Sequence, residues 1–287
     1  MNAPAASGSE AFFMPAGPGE RFCLFHPAAG PAARGAILYL HPFAEELNKS
    51  RRMAALQSRA FAAAGYSVLQ IDLYGCGDSS GEFVQARWHI WKHDLALACL
   101  WLAQRTGAPL WLWGLRLGAL LALDAARQPP VALQGLILWH PVFKGKSCID
   151  QFLRMHAAGH MLSAASSGMP AAQADQPAPG ARRQLAAGAI VEAGGYALAP
   201  ELAAVIDLQD AGAAVPAMPV YWFDLAAPAG TAGLGAAAAR QAAAWRQAGA
   251  GLSIHAVDGL VFWSSIEIVE CRALLSATAA LFPMTAA

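Results

Sequence analysis

At 287 residues, 56% hydrophobic and 13% charged, the chain has enough apolar material for one large α/β domain with a sizeable buried core. Its 19 Lys+Arg balance 19 Asp+Glu, so charge offers nothing to nucleic acid. Five scattered cysteines (Cys23, Cys76, Cys99, Cys148, Cys271), odd in number and without a CxxC pair, read as reduced thiols of a cytoplasmic protein.

Residues 1–20 hold no Lys or Arg and no continuous apolar run, so a secretory signal is not expected. Ala11–Met14 and Arg21–Phe25, separated by Pro/Gly turn residues, predict an antiparallel edge hairpin. A βα rhythm follows. Gly35–Leu40 reads as an apolar strand, His41–Asn48 as a loop, and the next segment as a helix running through Ala64. Ser67–Leu73 is the next strand, ending in the turn-rich Tyr74–Gly81. Trp88–Gln104 is helical, with Trp91, Leu95, Ala98 and Leu102 on one face and Gly107 as its stop. Pro109–Trp113 predicts a core strand and Leu117–Arg127 a short helix.

The stretch Ala108–Ala126 is the strongest candidate for a membrane span, but Arg116 stands near its middle. A central arginine costs roughly 2.5–3.5 kcal/mol on insertion scales, and strand–turn–helix is the better reading. Strands follow at Leu136–Trp139, Pro219–Phe223 and Leu252–Val257, with an Ala-rich helix over Gly235–Ala248 and a terminal helix from Ser264. Alternating apolar strands and helices predict an α/β fold: a mostly parallel, doubly wound sheet with right-handed crossovers. The pattern weakens over residues 144–216, and Ala157–Gly195 is rich in Ala, Gly, Ser and Pro. This segment is a lid or a connector inserted into a single domain spanning 1–287.

Gly114-Leu115-Arg116-Leu117-Gly118 joins strand to helix. Small residues there permit a tight turn that holds the central side chain above the carboxyl end of the sheet. His41-Pro42-Phe43 follows one strand, and Asp72-Leu73-Tyr74-Gly75-Cys76-Gly77-Asp78-Ser79 follows the next. In this order and frame the motifs resemble the nucleophile elbow, oxyanion loop and D-x-x-G-x-G-x-S turn of α/β-hydrolases, with Arg116 where those enzymes carry a nucleophile. The string Phe43–Met53, the elbow Trp113–Gly118, and Gly259–Trp263 with Glu267 resemble the type 2 hydrolase-like proteins of the exosortase A (PEP-CTERM) system. That resemblance implies a setting in exopolysaccharide production and protein sorting, with a possible protein partner there; it implies no substrate.

A hydrolase of this fold needs a nucleophile, a base and an acid that orients the base. The guanidinium of Arg116 stays protonated and cannot attack. The segment after the last strand, Asp258–Trp263, lacks the histidine that relatives place there; His255 lies inside the strand. Asp224 stands at the usual place of the acid with nothing to orient. A standard triad is therefore not expected. The backbone N–H groups of Leu117 and Phe43 could still form an oxyanion hole.

Arg116 at a helix N-terminus suits a small anion such as a carboxylate or phosphate, with an acyl-type substrate the other ligand the pocket could take; equally, Glu45 or Glu46 could hold Arg116 in an internal ion pair. Phe43, Glu45, Glu46, Arg116 and Leu117 are the candidate ligand-binding residues. A non-standard catalytic set would draw on His41, Glu45 and Arg116, and His140 is a candidate at the pocket rim. Ser79 and Cys76 are conceivable displaced nucleophiles. His156 and His160 share helical spacing without an acidic partner, so no metal site is expected, and no motif calls for a cofactor.

Overall fold

The computed structural model describes the backbone of residues 8–166, 180–226 and 234–283, and their side chains except those of 156–166, 213 and 226. Eight strands form one sheet. β1 (Glu10–Pro15) and β2 (Glu20–His26) make the antiparallel hairpin, and β2 runs antiparallel to β4 (Tyr66–Ile71). β3 (Gly35–Leu40), β5 (Leu110–Leu115), β6 (Leu133–Trp139), β9 (Val220–Ala226) and β10 (Leu252–Asp258) are parallel, giving the order β1-β2-β4-β3-β5-β6-β9-β10.

Burial on both faces explains the unbroken apolar runs of the central strands. In β3, Ala36, Leu38 and Leu40 enter one core cluster, whereas Ile37 and Tyr39 enter the other. Helix α1 (Glu46–Ala63) covers one face, burying Glu46, Leu47, Ser50, Met53, Ala54, Gln57, Ser58 and Phe61 at helical spacing. On the other face α2 (Trp88–Thr106) buries Trp91, Leu95, Ala98 and Leu102 and stops at left-handed Gly107 (φ 63°). Arg21 and Asp94, both fully buried, pair at 2.8 Å and tie β2 to α2.

α3 (Leu117–Ala125) follows β5 directly, so the apolar stretch 108–126 is strand, turn and helix. No described helix is long and apolar enough to cross a membrane. Between β6 and β9 the backbone forms α4 (Gly145–Ser166), α5 (Ala181–Ala186), the hairpin β7 (Val191–Ala193) and β8 (Tyr196–Leu198), and α6 (Pro200–Asp207). Its two ends meet: Gly145 N–H donates to the Gln209 carbonyl at 2.9 Å, and Ala211 N–H to that of Phe143 at 2.8 Å. Arg182 ties α5 to Asp150 on α4 and Asp207 on α6. Pairing between short elements, which periodicity does not register, orders this segment; residues 167–179 lie outside the description.

α7 (Ala236–Gln247) precedes β10, and α8 (Arg272–Ala279) closes the fold. The terminal helix thus begins at Arg272, not Ser264. Ser264 and Ser265 spend their hydroxyls on the carbonyls of Val261 and Phe262, which holds the chain in turns and delays the helix. All five cysteines are buried as free thiols.

Candidate functional site

The elbow is built by contact as well as by conformation. A Cβ on Gly118 would land on the carbonyl oxygens of Leu40 and His41, and one on Gly114 would strike the Ala119 backbone. Gly114 lets the β5–α3 turn fold tightly onto the start of α3, and Gly118 lets it press against the end of β3. Arg116 occupies the apex at φ 56°, ψ −114°, a conformation that a side chain with a Cβ adopts at a cost. Arg116 N–H donates to the Trp139 carbonyl at 3.0 Å, and Val142 N–H returns a bond to the Arg116 carbonyl at 3.3 Å. Among the described residues, the non-glycine residues with positive φ are Ala44, Arg116 and His140. They follow β3, β5 and β6, so the strain is gathered at one end of the sheet.

Arg116 projects toward α1 and α4. Its Nη2 donates to Gln151 Oε1 at 2.6 Å and to Glu46 Oε1 at 3.3 Å, and Gln151 Nε2 donates to the same Glu46 oxygen at 3.4 Å. Its guanidinium carbon lies 5.3 Å from the centre of the Trp263 ring. Of the two carboxylates open to Arg116 by sequence, Glu46 makes the pair. Both partners are mostly withdrawn from water, with 12% of the Arg116 side chain and 8% of Glu46 exposed. Burial raises the Glu46 carboxyl to about 7, and Arg116 offsets only part of that rise. Pairing is incomplete: Glu46 Oε2 and Arg116 Nε are buried without a hydrogen-bond partner among the described residues. Glu45, also raised by burial, leaves its Oε2 in the same condition.

Leu117 opens α3, where the first N–H groups have no partner within the helix. The space in front of it is nearly filled. A cavity of about 10 Å³, room for one water, is lined by His41, Pro42, Phe43, Leu117, Gly118 and Leu121. Phe43 packs edge-to-face on Phe83, Trp91 and Phe152, the last from α4. An acyl group fits there only after these side chains move.

The other candidates fall into place by their partners. His41 is buried; its Nδ1 donates to the Pro42 carbonyl at 2.8 Å, and its Nε2 accepts from Leu73 N–H at 3.2 Å. Both nitrogens are occupied and burial lowers its pKa, so it braces the loop as a neutral ring. Ser79 donates to the Asp72 carbonyl and accepts from Phe22 N–H, as a turn-former does. The Cys76 thiol is pushed up by burial, which removes its nucleophilic form. His255 stacks on Phe223 with ring centres 4.7 Å apart. The side chains of His156 and His160 lie outside the described residues. No group of metal-ligating side chains occurs among those described.

Asp224 is not idle. Its Oδ1 lies 2.8 Å from Nδ1 of His140, whose ring packs on Trp263 at 4.8 Å. Trp263, after the last strand, touches Arg116 and His140 alike. Sequence reasoning missed Gln151 and Trp263. Gln151 sits in a segment whose pattern is weak, and Trp263 was marked only by its place after the last strand and in the Gly259–Trp263 string, with no role attached.

Residues 31–189, more than half the chain, match the family model Hydrolase_4, described as serine aminopeptidase, S33. A search of curated proteins gives no match. Among solved structures the chain is similar to Est1E from Butyrivibrio proteoclasticus bound to ferulic acid (13% identity, TM-score 0.66, covering 94% of this chain and 97% of that one). It is also similar to a highly thermostable carboxyl esterase from Bacillus coagulans (16% identity, TM-score 0.64, 96% and 98%). A soluble variant of the Saccharomyces cerevisiae monoglyceride lipase aligns too (13% identity, TM-score 0.62, 98% and 97%). At these identities the likeness carries the fold alone. The chain belongs to the serine aminopeptidase S33 (Hydrolase_4) family and folds as an α/β-hydrolase.

Proposed function

We propose that this chain is a hydrolase-fold protein with a degenerate triad that binds a small oxyanion at Arg116, in the exosortase A and exopolysaccharide setting that its Phe43–Met53 string resembles. One observation carries the reading. The elbow presents a fixed cation whose Nε is unpartnered and whose Nη2 is held by a carboxylate that burial makes easy to protonate. A ligand oxyanion accepts from Nε and Nη2 together, and Glu46 gives way as a neutral acid. Phe43 and the Leu117 N–H line the entry, and the 144–216 segment acts as a cap through Gln151.

The test is calorimetric titration with acetate and with inorganic phosphate. Binding by wild type and its loss in a folded Arg116→Ala variant are expected; equal binding by both would end the anion-site reading. Fluorophosphonate should leave no adduct by mass spectrometry, because the elbow offers no nucleophile. The exosortase setting is checked separately: deleting the gene should alter exopolysaccharide export, and unchanged export removes that part.

A second reading, hydrolase or acyltransferase chemistry with a non-standard set, is favoured by the His140–Asp224 contact alone. Ester turnover that disappears in His140→Phe would carry it.

A further inference from the structure

The turn Tyr74–Gly81, which follows β4, lines a second opening in the molecule. It is a groove of about 580 Å³, to which α1 gives Asn48 and Arg51, the turn and its exit give Asp78 and Glu82, and β8 gives Tyr196. That volume lies within the range of about 300–1,000 Å³ usual for small-molecule sites. The groove shares no lining residue with the two cavities beside the elbow, each of which has room for about one water.

Its polar groups are only partly spent. Arg51 gives Nη2 to Asp72 at 2.8 Å, and its Nε and Nη1 have no hydrogen-bond partner among the described residues. Gly77 (φ 55°) lets the turn lie against that pair, because a Cβ there would strike both side chains. Asn48 Nδ2 donates to the Tyr196 hydroxyl at 3.2 Å, which leaves the Tyr196 O–H and Asn48 Oδ1 unspent. Asp78 uses its backbone N–H on Asp72, while its carboxylate accepts from no described residue. Donors and acceptors thus stand together at one opening.

Charge narrows the choice of ligand. Arg51 is the cation among the described lining residues, and Asp72 answers it, so Asp78 and Glu82 leave the groove acidic. An anion is repelled. A cation would suit Asp78 but face the unspent donors of Arg51 and Tyr196. A hydroxyl both donates and accepts, so neighbouring hydroxyls on one ligand can meet both kinds of group. Tyr196 also brings an aromatic ring, packed edge-to-face on Phe83 with centres 5.2 Å apart, as apolar surface for C–H groups.

We propose that this groove binds a neutral polyhydroxyl ligand, a short saccharide, with Arg51 and Tyr196 donating to its hydroxyls and Asn48 and Asp78 accepting from them. The site stands apart from the anion reading at Arg116. Tyr196 belongs to the segment between β6 and β9 and Arg51 to α1, so a bound saccharide spans the two and pins the β7–β8 hairpin to the core.

Titration of the full chain with maltotriose, cellotriose and mannotriose, followed by amide NMR, tests the proposal. At least one should bind and shift the amides of residues 75–82 and 195–196. Tyr196→Phe, which keeps the ring on Phe83, and Asp78→Ala should each weaken that binding about tenfold. Arg116→Ala should bind the saccharide as wild type does. Binding of none of the three overturns the proposal, as does binding that neither groove variant weakens. Spermidine bound more tightly than any of the saccharides would make the groove a cation site and overturn it too.

Discussion

Arg116 holds a left-handed backbone conformation that costs on the order of 1–3 kcal/mol in a residue with a Cβ, and the packed elbow imposes it. In a hydrolase that geometry exposes a nucleophile; here it lifts a cation off the sheet and seats it on Trp263. On the degenerate-triad reading proposed above, a hydroxyl at the elbow is not enough for hydrolysis. Arg116→Ser is expected to stay at background in p-nitrophenyl acetate hydrolysis, because no histidine follows β10 and both His41 nitrogens are occupied. Turnover well above background would show that another group serves as the base. Glu46 sets the pH dependence. Its carboxyl rises from 4.5 to about 7 on folding, so between those values the native state binds more protons than the unfolded chain. Stability contributed by Glu46 is complete below pH 4.5 and is lost as pH climbs through about 7. Relative to Glu46→Gln, the wild-type melting temperature should therefore fall across that window; a parallel pair of curves would contradict the assignment. Anion binding that displaces Glu46 should strengthen in the same direction, toward lower pH, with proton uptake seen in buffers of different ionisation enthalpy.

Among the elements, the β5–α3 junction is closely packed. Gly118→Ala drives a methyl onto two backbone carbonyls that have nowhere to go, so a loss of about 3 kcal/mol is expected in urea unfolding. A cost under 1 kcal/mol would mean that the turn yields more easily than its packing implies. α4 is held to this junction by Gln151 and Phe152. In Arg116→Ala, amide exchange over Gly145–Phe152 should quicken about tenfold, the equivalent of losing one charge-assisted hydrogen bond of about 1.5 kcal/mol, with α2 unaffected. Exchange unchanged in both helices would place the hold on α4 elsewhere.

For the molecule as a whole, sheet and elbow were legible because their signals are local. Gly35–Leu40 is an unbroken apolar run buried on both faces, and Gly114 and Gly118 mark two close approaches within one turn, to the start of α3 and to the end of β3. What stayed hidden depends on distant pairings. Asp224 reads as an idle acid until β6 and β9 lie side by side and bring it to His140. Gln151 reads as one polar residue in a weak helix until α4 settles on the elbow. Glu45 and Glu46 adjoin in sequence, and only the start of α1 decides which of them faces Arg116. In the described part of the segment between β6 and β9 the apolar faces are short (Cys148, Ile149, Phe152 and Leu153 on α4; Leu202, Ala203 and Ile206 on α6), and Arg182 and the meeting ends add pairings that no sequence period records.

The buried thiols then become a set of clocks. Cys23 and Cys99, held at about 12 by burial, lie within the sheet-and-helix core and meet an alkylating reagent only when that core opens. Cys148 is different: it lines the small space shared by Glu46 and Gln151 on the inner side of α4. Each lifting of α4 to admit a ligand would uncover Cys148 and leave the others shielded. On the anion-site reading proposed above, the ratio of its labelling rate to theirs reports how often α4 lifts in the folded protein.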